Sequence, residues 1–221
     1  MTRCVIFMSQ SDTHDRLLDA AEQLFSEHGI AATSLRAITS GASANLASVH
    51  YHFGSKEALV EAVFARRLAP LNRERCRLLD AEETAAAGAP SVEAIVTAFV
   101  APAMRLAYDP AGGGENFMLL IGRLYSEPGD LGYNITEQFT EVFQRFTSAL
   151  ARGLPHLSRT DLLWRFFFMV GCISMPLMGR HIIPRRTGGL CDPSDIENNI
   201  KRLVAFLAAG LRAAAPNGDT T

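Results

Sequence analysis

The side chains best suited to chemistry in this 221-residue chain crowd into one short stretch, Asn45 to Lys56. Asn45, Ser48, His50, Tyr51 and His52 offer hydrogen-bond donors and acceptors, and Lys56 closes the run with a positive charge. The chain holds no Ser-His-Asp spacing, no HExxH, no phosphate-cradling glycine loop and no acid pair. His156 and His181 stand alone near prolines, as surface residues do. Catalysis is therefore not expected, and neither a metal nor a cofactor. What the set suits is reading an anionic polymer: small polar side chains meet base edges, and flanking groups hold phosphates.

Positioning falls to the surrounding stretch, TSLRAITSGASANLASVHYHFGSKEAL, from Thr33 to Leu59. Thr33 is placed to cap a short helix whose apolar stripe is Leu35 and Ile38. Gly41 to Ala44 breaks that pattern, and Asn45 caps a second short helix, Leu46 to Tyr51. Two such helices joined by a tight turn make a helix-turn-helix. Neither would hold alone in water, since isolated helices need roughly 12–15 residues. The preceding segment, Thr13 to His28, is the clamp: Leu17, Leu18, Ala21, Leu24 and Phe25 form one stripe, Asp12 or Thr13 caps it, and Gly29 stops it. Phe25, Ile38, Leu46, Val49 and Phe53 make the expected small core. That leaves Ala47, Ser48, His50 and Tyr51 facing out, with Ser48 and His50 toward base edges and Ala47 toward a thymine methyl. Ser55 caps a third helix beginning at Lys56. A cation there opposes the helix dipole, so Lys56 is either a solvated lysine or part of a phosphate site; beside a helix-turn-helix, phosphate is favoured.

The run NLASVHYHFGSKEALVEAV resembles the TetR family of bacterial transcriptional regulators. There the recognition helix ends in an aromatic-His-Phe segment, here Tyr51-His52-Phe53. A small residue, Ser or Asn, then Lys-Glu-x-Leu follow, here Gly54-Ser55-Lys56-Glu57-Ala58-Leu59. The match reaches back to Leu17 and covers about a quarter of the chain. The resemblance implies a DNA-contacting set of Thr33, Asn45, Ala47, Ser48, His50, Tyr51, His52 and Lys56, with Tyr51 and His52 on phosphates. One departure stands out. The family usually has Gly then Val in the turn, where this chain has Ser43 and Ala44, with a glycine earlier at Gly41. A serine enters the required conformation only at a cost, because its Cβ disfavours positive φ.

Bulk charge does not help. The net charge is −2, and residues 1–57 carry Arg3, Arg16, Arg36 and Lys56 against Asp12, Asp15, Asp19, Glu22, Glu27 and Glu57. Binding to DNA must rest on few, well-placed contacts rather than a basic field. Four scattered cysteines without a CxxC point to a reducing cytoplasm. The apolar run Cys4 to Met8 is too short for a signal core, and either Met1 or Met8 serves as the start.

The fold class expected is all-α: an N-terminal three-helix helix-turn-helix domain and a larger C-terminal helical domain for ligand binding and dimerisation. The boundaries are a disordered arm at 1–12, a DNA-binding domain at 13–57, an effector and dimerisation domain at 58–215, and a disordered tail at 216–221. A long helix runs from Lys56 to about Glu83, with Pro70 as a kink or the start of a second segment, and Arg66, Arg67, Arg73, Arg75 and Arg77 as a solvated basic face. After the linker Ala85 to Pro90, Ser91 caps a helix. Others follow at about Asn116 to Ser126, Gly132 to Arg152 and from Ser158, and Asp192-Pro193 opens the last. Gly179 to Cys191 reads as a loop. Phe166 to Met178 carries no charge, yet is short of the roughly 20 residues of a membrane span. No membrane partner is expected; burial by a second copy is, through Phe167, Val170, Ile196, Ile200, Leu203, Val204 and Leu207.

Methionine and aromatic residues in the larger domain read as core or, as in the family, as an apolar effector pocket. Met104, Phe117, Ile121, Tyr125, Phe139, Phe143 and Phe168 are its candidates, with Asn116, Arg105 and Tyr125 as polar handles. The reading is a homodimeric repressor on a near-palindromic, double-stranded operator, released by a small, largely apolar effector. The alternatives are a helical interaction protein without DNA binding, or a small-molecule enzyme.

Overall fold

Five of the described helices start where a short polar side chain takes an orphan N–H: Ser34, Asn45, Ser55, Ser91 and Ser158. The computed structural model describes residues 10–86, 88–109, 114–124, 135 and 137–215. Among these there are ten helices and no strand. They fall into two compact units: Met1–Leu68 with Leu119–Glu137, and Ala69–Met118 with Gln138–Thr221.

The first unit is built on α1 (Gln10–His28), α2 (Leu35–Gly41), α3 (Leu46–His52) and the opening turns of α4 (Lys56–Ala85). Leu17, Leu18, Ala21 and Phe25 of α1 are buried against Ile38, Val49, Leu59, Val63 and Phe64. Gly29 closes α1 at φ 88, donating to the Phe25 carbonyl over 2.9 Å. Leu46, expected in this core, is 41 % exposed. It lies on the first turn of a seven-residue helix, of which Val49 is the buried residue.

Arg66 and Arg67 are not a solvated face. Both guanidiniums close on the buried Glu22 of α1, and Arg66 also donates to Asp19 over 2.7 Å. This ionic knot fastens α4 to α1. Pro70 sits within α4, and the helix runs unbroken past it rather than restarting.

The turn between α2 and α3 shows what Ser43 does. Its φ is 49°, the one positive φ at a non-glycine among the described residues. Ala44 donates to the Thr39 carbonyl over 2.9 Å and Ser43 to the Ser40 carbonyl over 3.2 Å, the double closure of a Schellman turn with serine in the left-handed position. Gly41 does not take this role, since it lies inside α2. Ser43→Gly should therefore raise stability by about 1 kcal/mol, roughly 2–4 °C in Tm, read by thermal unfolding. An unchanged or lower Tm would contradict the strain at this turn.

The second unit wraps α5 (Val92–Ala107). Ser91 caps it, accepting from Ala94 N–H over 3.1 Å. α5 is buried nearly all round, from Val92 to Ala107. The same unit holds the start of α6 (Gly114–Leu124), then α7 (Thr140–Gly153), α8 (Arg159–Met178), the short α9 (Ile182–Thr187) and α10 (Ile196–Arg212), of which α7, α8 and α10 pack on α5. A Cβ on Gly114 would stand 1.8 Å from the Leu106 carbonyl oxygen, so only glycine lets α6 begin there. The apolar stripe of α10, including Ile200, Val204, Leu207 and Leu211, is spent on α5. Arg105–Glu197 and Arg212–Glu93 pairs clip the two helices together, and the hydrogen bonds from Arg212 hold the Glu93 carboxyl near a pKa of about 2.

Two boundaries in the second unit differ from expectation. Residues 182–187, read as loop, form α9. The last helix begins at Ile196, not at Asp192; the Asp192 carboxylate instead accepts from Ser194 N–H over 2.8 Å, closing a turn ahead of the helix. Parts of the expected helices at 116–126 and 132–152 lie outside the described residues. α8 is, among these, long and apolar enough to cross a membrane by length and composition. Its Leu162, Phe166, Met169, Ile173 and Leu177 face is nevertheless packed within the unit. Arg165 on it donates to carbonyls of Gly210, Leu211, Ala213 and Ala214 at the end of α10.

Candidate nucleic-acid interface

α3 is capped by Asn45, whose side-chain oxygen accepts from Ser48 N–H over 2.8 Å and from the Ser48 hydroxyl over 3.0 Å. With Val49 anchored inside, the other faces of this two-turn helix turn outward. Asn45, Ala47 and His50 are exposed, Tyr51 is the most exposed at 72 %, and Ser48 and His52 are half-buried.

His50 Nδ1 lies 3.0 Å from the Gly54 carbonyl. A carbonyl only accepts, so Nδ1 carries the proton, and in the neutral ring Nε2 is left as an acceptor. An outward acceptor suits the exocyclic amino group of adenine or cytosine in a major groove. His52 is held among rings: Tyr51 at 5.0 Å, His14 of α1 at 5.7 Å and Phe53 at 6.1 Å, with His14 stacked on Phe53 at 4.9 Å. His14 was not among the expected residues. No local pattern marks it, because it reaches its partners from another helix.

The capping role expected of Thr33 is corrected. Thr33 does not cap α2; Ser34 does, accepting from Ala37 N–H over 3.2 Å. The Thr33 side chain is buried, and its hydroxyl donates to the Gly29 carbonyl over 2.7 Å. It ties the loop to the end of α1. Lys56 is more than a solvated lysine: its ammonium donates to the Ile30 carbonyl over 2.6 Å, tying the start of α4 to the α1–α2 loop. The α4 N-terminus is capped by Ser55, whose hydroxyl oxygen accepts from Ala58 N–H over 3.1 Å.

The expected effector residues differ in burial. Met104 and Phe117 are fully buried, Phe139 and Phe143 are half-buried, and Ile121 belongs to the stretch grouped with the first unit. Tyr125 lies outside the described residues. Phe168 is 62 % exposed and stacks on Trp164, so it is a surface residue and not a pocket wall. Arg105 is likewise taken up at the surface by Glu197. A cleft of about 500 Å³ opens between α7 and α8, lined by Phe143, Thr147, Leu157 and Leu162 among others; of the expected residues it holds Phe143.

The dimer set also divides. Phe167 is exposed, while Val170, Ile196 and Leu203 are half-buried. Ile200, Val204 and Leu207 are core residues, because α5 of the same chain covers their stripe. What α8 and α10 leave bare is Trp164, Phe167, Phe168, Met175 and Phe206.

Comparison with known proteins agrees with this architecture. Residues 17–63 match the model for bacterial regulatory proteins of the tetR family, and residues 97–210, just over half the chain, match the tetracyclin repressor-like C-terminal domain. The chain is 38 % identical over 76 residues to the nicotine-responsive transcriptional repressor HdnoR of Paenarthrobacter nicotinovorans, a match covering 34 % of this chain and 39 % of that protein. The fold is shared with the fatty acid degradation regulator FadR of Bacillus halodurans, at a TM-score of 0.67 and 17 % identity over 90 % of this chain and 96 % of that one. It is also shared with FadR of Bacillus subtilis, solved with stearoyl-CoA, at 0.65 and 15 % identity over 89 % and 98 %. Family models thus fall on both parts of the chain, on the helix-turn-helix and on the helical unit that follows. The chain belongs to the TetR family of DNA-binding transcriptional regulators, a family without enzymatic activity.

Proposed function

We propose that this regulator is a cytoplasmic repressor that binds a near-palindromic operator as a homodimer and leaves it when a small, largely apolar effector occupies the larger unit. The observation that carries the DNA-reading part is α3 itself. It is anchored by Val49 and capped by Asn45, and it presents Ala47, His50 and Tyr51 outward. Dimerisation rests on the bare aromatic face of α8 with Phe206 of α10, which a monomer would leave in water. That HdnoR is nicotine-responsive and FadR was solved with stearoyl-CoA supports an effector with apolar bulk. α4 contributes residues to both units, so an effector that favours one tilt of α4 would shift the population away from operator-competent dimers.

Selection from random DNA, followed by gel shifts on the enriched site, tests this reading. His50→Ala should change preference at one base pair per half-site, a discrimination of about 1–3 kcal/mol. Lys56→Ala should weaken all sequences alike and also lower Tm, since it releases the α1–α2 loop. If nothing is enriched, the chain is a helical interaction protein that keeps the fold without the function. If both variants bind like wild type, the roles given to these residues are wrong.

A further inference from the structure

α4 buries an arginine where its apolar stripe calls for a leucine. Leu68, Leu71, Arg75 and Leu79 follow at helical spacing, all four are buried, and Arg75 is 5 % exposed. Arg75 Nε donates to the Phe99 carbonyl over 2.9 Å, Nη1 reaches Asn72 Oδ1 at 3.4 Å, and the guanidinium lies 4.0 Å above the Phe99 ring. Every one of these partners is neutral. A guanidinium carries five N–H groups, so most of its capacity is unspent.

The less buried arginines are treated differently. Arg66 and Arg67 meet Glu22, and Arg145 meets Asp80. Arg75 has no carboxylate partner among the described residues. Taking a cation out of water costs several kcal/mol unless a counter-charge answers it. Burial pushes the Arg75 guanidinium down to about 9, so it stays charged at neutral pH and the cost stands. Nor is the group wholly sealed. Among the described residues, Arg66 Nε is the buried side-chain polar atom without any partner; Nη2 of Arg75, also without one, is not closed off in that way.

We infer that Arg75 is the counter-ion for a carboxylate on the effector, so that the effector is a small organic acid with an apolar body. The inference rests on the effector-binding reading of the larger unit and narrows its ligand class. A planar fork with free N–H groups accepts a carboxylate through paired, charge-assisted hydrogen bonds, which a neutral molecule of the same shape does not form. The apolar body follows from the surroundings: Phe99 is ringed by Phe146 at 5.2 Å and Phe166 at 5.3 Å. The site also sits at a mechanical point. Pro102, which brings no N–H to the ladder of α5, lies one turn beyond Phe99, and the bond from Arg75 to the Phe99 carbonyl joins α4 to α5 there. A carboxylate that draws the guanidinium toward itself loosens that joint.

The test uses the full chain without DNA, so it stands apart from operator binding. Melting curves and titration calorimetry compare octanoate with 1-octanol, and phenylacetate with 2-phenylethanol. At least one acid should raise the wild-type Tm by about 3 °C or more at saturation, beyond its alcohol. The shift should vanish in Arg75→Met. If that variant does not fold, Arg75→Lys keeps the charge, loses the fork and should bind the acid at least tenfold more weakly. The aliphatic and aromatic arms distinguish a fatty from an aromatic acid. Acids no better than their alcohols in wild type, or an undiminished shift in the folded variant, would overturn the assignment. Failure to bind any operator would instead strike at the regulator reading and leave this one standing.

Discussion

A chain carrying both Phe167→Glu and Phe206→Glu should remain folded, sediment as a monomer and lose operator affinity by a hundredfold or more. The two phenylalanines stand on α8 and α10, helices packed on each other, and Phe206 is 68 % exposed. Neither holds up its own chain, so a charge there costs little in the monomer. Across a two-fold axis each would face its own copy, and the like charges would have to be desolvated together. The DNA effect follows from linkage. Two reading helices on one dimer make the second half-site contact intramolecular, and avidity of this kind is worth about 10²–10⁴ in affinity. Sedimentation velocity and gel shifts on the enriched operator read the two effects separately. Val204→Glu is the informative contrast: it buries a charge against α5 and should unfold the chain rather than split a dimer. A double variant that still sediments as a dimer would move the interface elsewhere.

Glu22→Ala should be the most damaging single change in the first unit, costing about 3–5 kcal/mol and roughly 10 °C in Tm. The Glu22 side chain is 4 % exposed and meets both Arg66 and Arg67, each about three-quarters buried. Removing it leaves two guanidiniums against apolar α1 with only Asp19 to answer them. Asp19 is itself 71 % exposed, so Asp19→Ala should cost no more than about 1 kcal/mol. Function should fall with stability. α1 and α4 are the walls that hold α2 and α3, and an α3 that wanders loses its register in the groove. Thermal unfolding of the two variants side by side checks this. If Glu22→Ala melts within 2 °C of wild type, the knot contributes nothing and α1 is held by its apolar face alone.

Much of the reading unit was legible without coordinates because its signals are short in range. Asn45, Ser55, Ser91 and Ser158 each cap a helix by accepting from an N–H three residues on, and Gly29 ends α1 by donating four residues back. The strained turn at Ser43 could be anticipated for the same reason: the left-handed position is set by residues 39 to 44. Thr33 and Ser34 show the limit. Both are good caps by composition, and which one faces the helix N-terminus depended on the Gly29 carbonyl claiming the other.

Arg66, Arg67 and Arg75 were misplaced in the same direction, and Lys56 has a tertiary partner that its neighbours in sequence do not show. A cation in sequence reads as solvated or as a ligand for phosphate, because its partner cannot be seen. Lys56 finds its acceptor 26 residues back, Arg66 and Arg67 find Glu22 at separations of 44 and 45, and Arg75 finds the Phe99 carbonyl 24 residues on. One clue was present for Arg75: it occupies a leucine position in the stripe of α4.

By itself the sequence determined that this protein is all helix, where many of its helices begin, and which short helix is left to turn its side chains outward, since periodicity and capping are interactions within a few residues. Only the tertiary structure decided what each apolar stripe lies against. A stripe such as Ile200, Val204 and Leu207 states that a face leaves water. Burial energy is non-directional and does not name the covering surface, so whether α5 or a second copy covers that face is settled by the packing alone.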